Sequence, residues 1–97
     1  MASTRLEQAR ERARERQETV LRVKNVLIQQ LMLDFEHDEF DDDTPLFAAG
    51  LGLDSVDALE VVFSIENEFR VRMDDSDMLA LRTVNTVADL VEERTGA

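Results

Sequence analysis

The chain has 97 residues and a net charge of −11, with 43% hydrophobic and 34% charged residues. This composition is typical of one small globular domain and excludes a disordered chain or a second core. No apolar run approaches the roughly 18 residues that a transmembrane helix needs, and the N-terminus lacks the apolar region of a secretory signal. We therefore expect no membrane insertion and a cytoplasmic location.

The charge is unevenly distributed. Residues 34–97 contain four arginines and eighteen acidic residues, whereas residues 1–33 carry a small positive excess. The acidic part is expected to be repelled by nucleic acid and anionic membranes, so its natural partners are proteins with basic patches. The chain has no cysteine, which excludes disulfides and thiolate metal sites.

The N-terminal third predicts one long helix with two parts. Thr4 and Glu7 have capping-box spacing, and the apolar content stays thin until Val20, Val23 and Leu27 form a core face. We therefore divide the chain into a charged arm, residues 1–19, and a domain, residues 20–97.

The arm also carries a weak seven-residue repeat, formed by Leu6, Ala13, Val20 and Leu27. This spacing would allow self-association, but Arg16 at a companion position of the repeat disfavours a coiled coil. A solvated arm on a monomer is the favoured interpretation.

The remaining chain predicts a long acidic loop and three further helices. The loop covers residues 34–54, and its interspersed apolar residues indicate that it is pinned across the helices. Helix two is expected from about Ser55 to Phe69, with an apolar stripe that includes Leu59, Val62 and Phe63. A short helix is expected at 75–81, and a last helix after Thr83 as its cap. The fold class is all-α, a bundle of three main helices and one short one.

The stretch Gly50–Leu59, GLGLDSVDAL, raises a chemical question about Ser55. Serine catalysis needs a nearby base, and the single histidine, His37, lies in the acidic loop without a nucleophile elbow. The acidic loop also lacks the glycine and terminal glutamate of a calcium site. Two interpretations stay open from residue types alone. Asp54 and Ser55 form a helix cap, or Ser55 carries a phosphate ester that the helix start favours.

The segment LGLDSVDALEVVFSIENEF, residues 51–69, closely resembles the modification site of acyl carrier proteins. Phe47 before it and RTVNTVADLVEE after it extend the resemblance over about residues 20–95. The resemblance implies an acyl-carrier-like fold and a carrier that is not itself an enzyme, with no catalytic residues. It also implies that Ser55 receives 4′-phosphopantetheine from coenzyme A through an Mg²⁺-dependent phosphopantetheinyl transferase.

The resemblance further implies roles for other positions. Asp54, Asp57, Glu60 and Glu66 would contact the basic docking patches of acyl-loading, condensing or transferring enzymes. We also expect Glu66 to lie at the edge of the core. Candidate residues for an acyl pocket are apolar and follow helix two onwards: Val62, Ile65, Phe69, Met73, Met78, Leu81 and Val87.

Departures from the family pattern narrow the expectation. Arg70 and Arg72 make the loop after helix two unusually basic, and Met78 stands where a small residue is common. With the extra arm, these features indicate a specialised stand-alone carrier in fatty-acid, polyketide or other lipid-type biosynthesis. The alternatives are an aminoacyl or peptidyl carrier with the same arm, and a helical interaction module in which Asp54 and Ser55 only cap a helix.

Overall fold

The computed structural model describes residues 4–30, 41–46 and 55–95. Within these ranges the chain forms three α-helices, one 3-10 helix and no strand. Helix α1 is Arg5–Gln30, α2 is Ser55–Phe69, the 3-10 helix is Asp75–Ala80 and α3 is Val84–Thr95. α1 packs against both α2 and α3, and the 3-10 helix packs against α3. This arrangement confirms the predicted all-α bundle of three main helices and one short one.

Helix α1 begins where its capping signal predicts. The Glu7 amide donates to Thr4 Oγ1 at 3.1 Å, which satisfies one of the amides that a helix start leaves without an internal partner. The helix then continues unbroken to Gln30. Residues 5–15 are exposed, and burial increases from Arg16 until Val23 is fully buried.

The division between arm and domain lies inside this continuous helix and stays a prediction. Contact with α3 already begins at Arg16, which lies 2.8 Å from Asp89 and 3.2 Å from Glu92 in two ion pairs. Val20 and Leu27 are buried in the chain's own core. Their burial removes two of the four residues that a self-association seam would need.

The core is built from one face of each α-helix and one residue of the long loop. Its largest fully buried side chains are Val23, Leu27, Leu46, Val61, Ile65, Val84 and Val87. Ile28, Phe69, Val71, Met73 and Met78 pack against this cluster and are partly buried.

The predicted stripe of α2 is wrong at two positions. Leu59 is 51% exposed and Phe63 is 64% exposed, whereas Ala58, Val61 and Ile65 are buried. Residues 58, 61, 62, 65 and 69 also follow a helical spacing and fit the pattern as well as the predicted stripe does. Both sets fit because apolar residues cover more of the α2 circumference than the core does. Periodicity alone therefore could not fix the rotation of this helix about its axis.

The described part of the long loop is attached to both α1 and α3. Lys24 of α1 is buried, and its Nζ lies 2.7 Å from Asp42 Oδ1. The Asn85 amide of α3 donates to Asp42 O at 3.0 Å, and the Leu46 amide donates to Arg82 O at 2.9 Å. The prediction of a pinned loop is confirmed for residues 41–46, while Phe35, Phe40 and Phe47 lie outside the described residues.

The short helix and α3 begin at polar caps. Asp74 accepts from the amides of Ser76 and Asp77 and so caps the 3-10 helix, which begins at Asp75 as predicted. The Thr86 amide donates to Thr83 Oγ1 at 3.1 Å, which confirms Thr83 as the cap of α3.

Helix α2 ends in a tight reversal at Arg70. The Val71 amide donates to Glu66 O at 3.2 Å, the six-to-one bond of a Schellman motif. Arg70 has φ 54° and is the one non-glycine residue with positive φ in the described part of the chain. A side chain with a Cβ atom is disfavoured there by about 1 kcal/mol relative to glycine.

Replacing Arg70 by glycine is expected to stabilise the fold. Relief of the left-handed conformation outweighs the extra backbone entropy of glycine in the unfolded chain, so the free energy of unfolding should rise by about 0.5 kcal/mol. Arg72→Gly is the matched control. Because φ of Arg72 is negative, glycine there adds only its extra backbone entropy in the unfolded chain, and the substitution should lower stability. Thermal unfolding of both variants measures the two signs. A loss of stability in Arg70→Gly would contradict the conformational argument.

Candidate functional site

The candidate site is the first turn of α2, which begins at Ser55. The dipole of an α-helix favours negative charge at its N-terminal end. Val56, the next residue, is exposed, so this turn lies at the protein surface. The backbone therefore suits a phosphate diester on the first residue of the helix. Asp54 and the side chain of Ser55 lie outside the described part of the structure.

The predicted partner residues of α2 differ in exposure. Glu60 is exposed, whereas Asp57 and Glu66 are half-buried. The Met73 amide donates to Glu66 Oε2 at 2.9 Å, so Glu66 lies at the edge of the core, as expected, and holds the loop after α2. Asp57 and Glu60 follow Ser55 within two turns.

The sequence prediction missed an apolar ridge on the outer face of α2, formed by Val56, Leu59 and Phe63. All three side chains are exposed, and their spacing of three and four residues places them along one side of the helix. Glu60 lies beside this ridge at the i+4 position from Val56. The signal was present in the sequence, since a helix with apolar residues on two faces must expose one of them.

The seven acyl-pocket candidates converge on one apolar cluster. Val62, Ile65, Leu81 and Val87 are buried in the core, while Phe69, Met73 and Met78 pack against it. Three elements contribute these side chains, because α2, the segment 73–81 and α3 all face the same interior. Their role as a pocket stays a prediction.

An ion pair between the buried Asp77 and Arg94 holds the 3-10 helix of this cluster against α3. Asp77 is 7% exposed, and its Oδ1 accepts from Arg94 Nη2 at 2.6 Å. Its Oδ2 accepts from the Asp74 amide at 2.8 Å, which completes a capping box. Arg94 also donates to Arg72 O at 2.8 Å. One guanidinium therefore fixes both the 3-10 helix and the loop before it.

Two pKa values reflect this arrangement. The Ser76 hydroxyl donates to Asp74 at 2.6 Å and holds the pKa of that carboxyl below its ordinary value. The Asp77 carboxylate, by accepting a hydrogen bond from Arg94, raises the pKa of that guanidinium. Both shifts favour the charged forms that the contacts require.

Two other kinds of site were searched for in the described ranges. Residues 4–30, 41–46 and 55–95 contain no group of three or more side chains that could hold a metal ion. Most of the acidic loop, with His37, lies outside these ranges. None of the helices that the structure describes is long and apolar enough to cross a membrane.

Comparison with known proteins gives one family match. The model of the phosphopantetheine attachment site matches residues 22–91. Acyl carrier protein 3, chloroplastic, of Cuphea lanceolata is 36% identical over 81 residues, which cover 84% of this chain and 54% of the relative. Acyl carrier protein 4, chloroplastic, of Arabidopsis thaliana is 34% identical over 80 residues, covering 78% and 53%. The acyl carrier protein of Thermotoga maritima is 30% identical over 81 residues, covering 84% and 96%. The chain thus spans about half the length of the two plant relatives.

Proposed function

Because the chain belongs to the acyl carrier protein family, we propose that it carries acyl intermediates as thioesters on a 4′-phosphopantetheine arm attached to Ser55. Family membership confirms the predicted cofactor, and it confirms the expectation of a carrier rather than an enzyme. The observation that supports Ser55 as the attachment point is its place as the first residue of the 15-residue helix α2. Ser64, the other serine of this helix, lies in its third turn and is half-buried.

The residues of the chain contribute to this function in three ways. The positive end of the α2 dipole, at the N-terminus of the helix, stabilises the phosphodiester. The apolar cluster between α2, the 3-10 helix and α3 shelters the cargo from water. When attached, phosphopantetheine supplies the terminal thiol that forms the thioester, and the chain has no cysteine of its own to compete. A flexible arm then raises the local concentration of its cargo at each partner's active site.

Docking of partner enzymes is assigned to the start of α2. The acidic group, Asp54, Asp57 and Glu60, steers enzymes with basic patches towards Ser55. The apolar ridge beside it provides contact area without long, flexible side chains. An apolar centre with a charged rim is the usual anatomy of a transient protein interface. Glu66 contributes less to docking in this proposal, because its carboxylate already binds the Met73 amide.

The pathway and the cargo belong to the same proposal. We assign the chain to fatty-acid, polyketide or other lipid-type biosynthesis, as a specialised carrier that is monomeric and cytoplasmic. Its partners are a phosphopantetheinyl transferase and the enzymes that load, condense or transfer acyl groups. Met78 supports a restricted cargo, since this side chain packs against the apolar cluster from the 3-10 helix and occupies part of its volume. Aminoacyl cargo is the alternative on the same arm.

Incubation with coenzyme A, Mg²⁺ and a phosphopantetheinyl transferase tests the attachment point. Intact mass spectrometry should show a gain of one phosphopantetheine for the wild-type chain and none for Ser55→Ala. Ser64→Ala is the matched control on the same helix and should be modified like the wild type. Modification that survives Ser55→Ala would place the arm on another residue. No gain in the wild type with several transferases would leave the interaction module as the better interpretation.

A further inference from the structure

Two surface grooves meet at the far end of α2, away from Ser55. One groove, of about 530 Å³, lies between α1 and α2 and is lined by Gln29, Phe63, Asn67 and Arg70 among others. The second, of about 590 Å³, lies between α2 and the loop after it, and its lining includes Phe63, Asn67 and Arg72. Phe63 and Asn67 line both grooves, and each groove also has one arginine and one glutamate in its wall: Arg70 with Glu68 in the first, and Arg72 with Glu66 in the second.

These two arginines are positive charges in an acidic domain. Arg70 and Arg72 are both exposed, and neither forms an ion pair with any residue that the structure describes. The nearest acids in sequence are engaged elsewhere. Glu66 accepts from the Met73 amide, and Glu68 lies 2.9 Å from Arg22 of α1 in an ion pair. The exposed guanidinium groups of Arg70 and Arg72 are therefore accessible to a partner.

The backbone at Arg70 strengthens this interpretation. Its φ of 54° is a conformation that glycine adopts at lower cost. Residues held in sparsely populated backbone regions cluster at functional sites. The Arg70 side chain is exposed, so it is accessible to a partner.

We infer that the surface formed by Phe63, Asn67, Arg70 and Arg72, here called the distal surface, docks an acidic segment of a partner protein that also presents an apolar side chain. The carboxylates pair with the two arginines, and the apolar side chain packs on the exposed ring of Phe63. This inference deepens the proposed function and rests on it for the kind of partner, an enzyme that acts on the carrier.

The acidic group near Ser55 and the arginines of the distal surface place opposite charges towards the two ends of α2. Asp57 and Arg70 are thirteen residues apart, which is about 20 Å along a helix. A partner patch that is basic near the active site and acidic about 20 Å away matches both ends. A uniformly basic patch is repelled at the distal surface, so the arginines select a dedicated partner by rejecting others.

Titration of isotope-labelled protein with a short acidic peptide tests the distal surface directly. The probe is a peptide blocked at both ends, in which glutamates flank two leucines. Binding is measured from the NMR chemical-shift changes of the labelled protein. The changes should centre on residues 63, 67, 70 and 72, and Arg70→Glu/Arg72→Glu should weaken binding about tenfold. The same peptide with glutamines in place of glutamates should bind at least about tenfold more weakly than the acidic peptide.

A matched control separates local pairing from net charge. Arg12→Glu/Arg14→Glu changes the charge by the same amount on the exposed segment of α1, and it should alter binding less than about twofold. Shift changes centred on that segment, equal binding of the glutamine peptide, or full binding by the Arg70→Glu/Arg72→Glu variant would each overturn the inference. Because the titration needs no phosphopantetheine, its result is independent of the Ser55 modification test.

Discussion

Replacing Leu46 by alanine is expected to lower the free energy of unfolding by about 3 kcal/mol. The Leu46 side chain is 0% exposed and belongs to the core, although it comes from the long loop. Its loss leaves a cavity beneath the one described loop segment that joins α1 to α3. The midpoint of thermal unfolding should fall by about 12–24 °C, given about 4–8 °C per kcal/mol for a domain of this size.

Leu79→Ala is the matched control for this experiment. Leu79 is 80% exposed on the 3-10 helix, so the same chemical change should alter stability by less than about 0.5 kcal/mol. Equal effects of the two substitutions would show that Leu46 does not anchor the loop in the core.

Replacing Asp77 by alanine is expected to destabilise the 3-10 helix and to cost about 2 kcal/mol of global stability. The substitution removes the acceptor of Arg94 and the acceptor of the Asp74 amide together. Asp77→Asn keeps one oxygen as an acceptor and should give a smaller loss. Chemical denaturation measures the global effect for both variants.

Hydrogen exchange locates the effect of the Asp77 substitution. Amides of the 3-10 helix and of Leu81 should exchange faster in Asp77→Ala, because the ion pair that joins this helix to Arg94 of α3 is lost. The amides of α1 should keep their protection. Asp75→Ala is the matched control, since Asp75 is exposed in the same turn. A uniform rise in exchange over the whole chain would contradict a local role for the ion pair.

Most of this fold could be predicted from signals that are local in the sequence. The start of α1 at Thr4 and the cap of α3 at Thr83 are encoded by side chains within three residues of the amides they bind. The rotation of α2 was not predictable in this way, because both of its faces are apolar. Lys24 with Asp42 and Asp77 with Arg94 were also missed, since charges this far apart in sequence pair only after the helices have packed.

The candidate site shows the same limit. Ser55 was identified from a motif, and the structure adds that it starts a helix whose first turn lies at the surface. The apolar ridge was not predicted, because the periodicity of the sequence placed Leu59 and Phe63 in the core. The unusual basicity of Arg70 and Arg72 was visible in the sequence, but the groove beside Arg70 depends on how α2 packs against α1.

Helix α1 continues without a break from its exposed N-terminal segment into the bundle. Its 26 residues extend about 39 Å, and the exposed segment 5–15 accounts for about 16 Å of that length. The buried part of the same helix contacts α2 and α3, so the exposed segment 5–15 has a fixed direction relative to the bundle. A protein that bound this segment would therefore orient the start of α2 without contacting α2 itself.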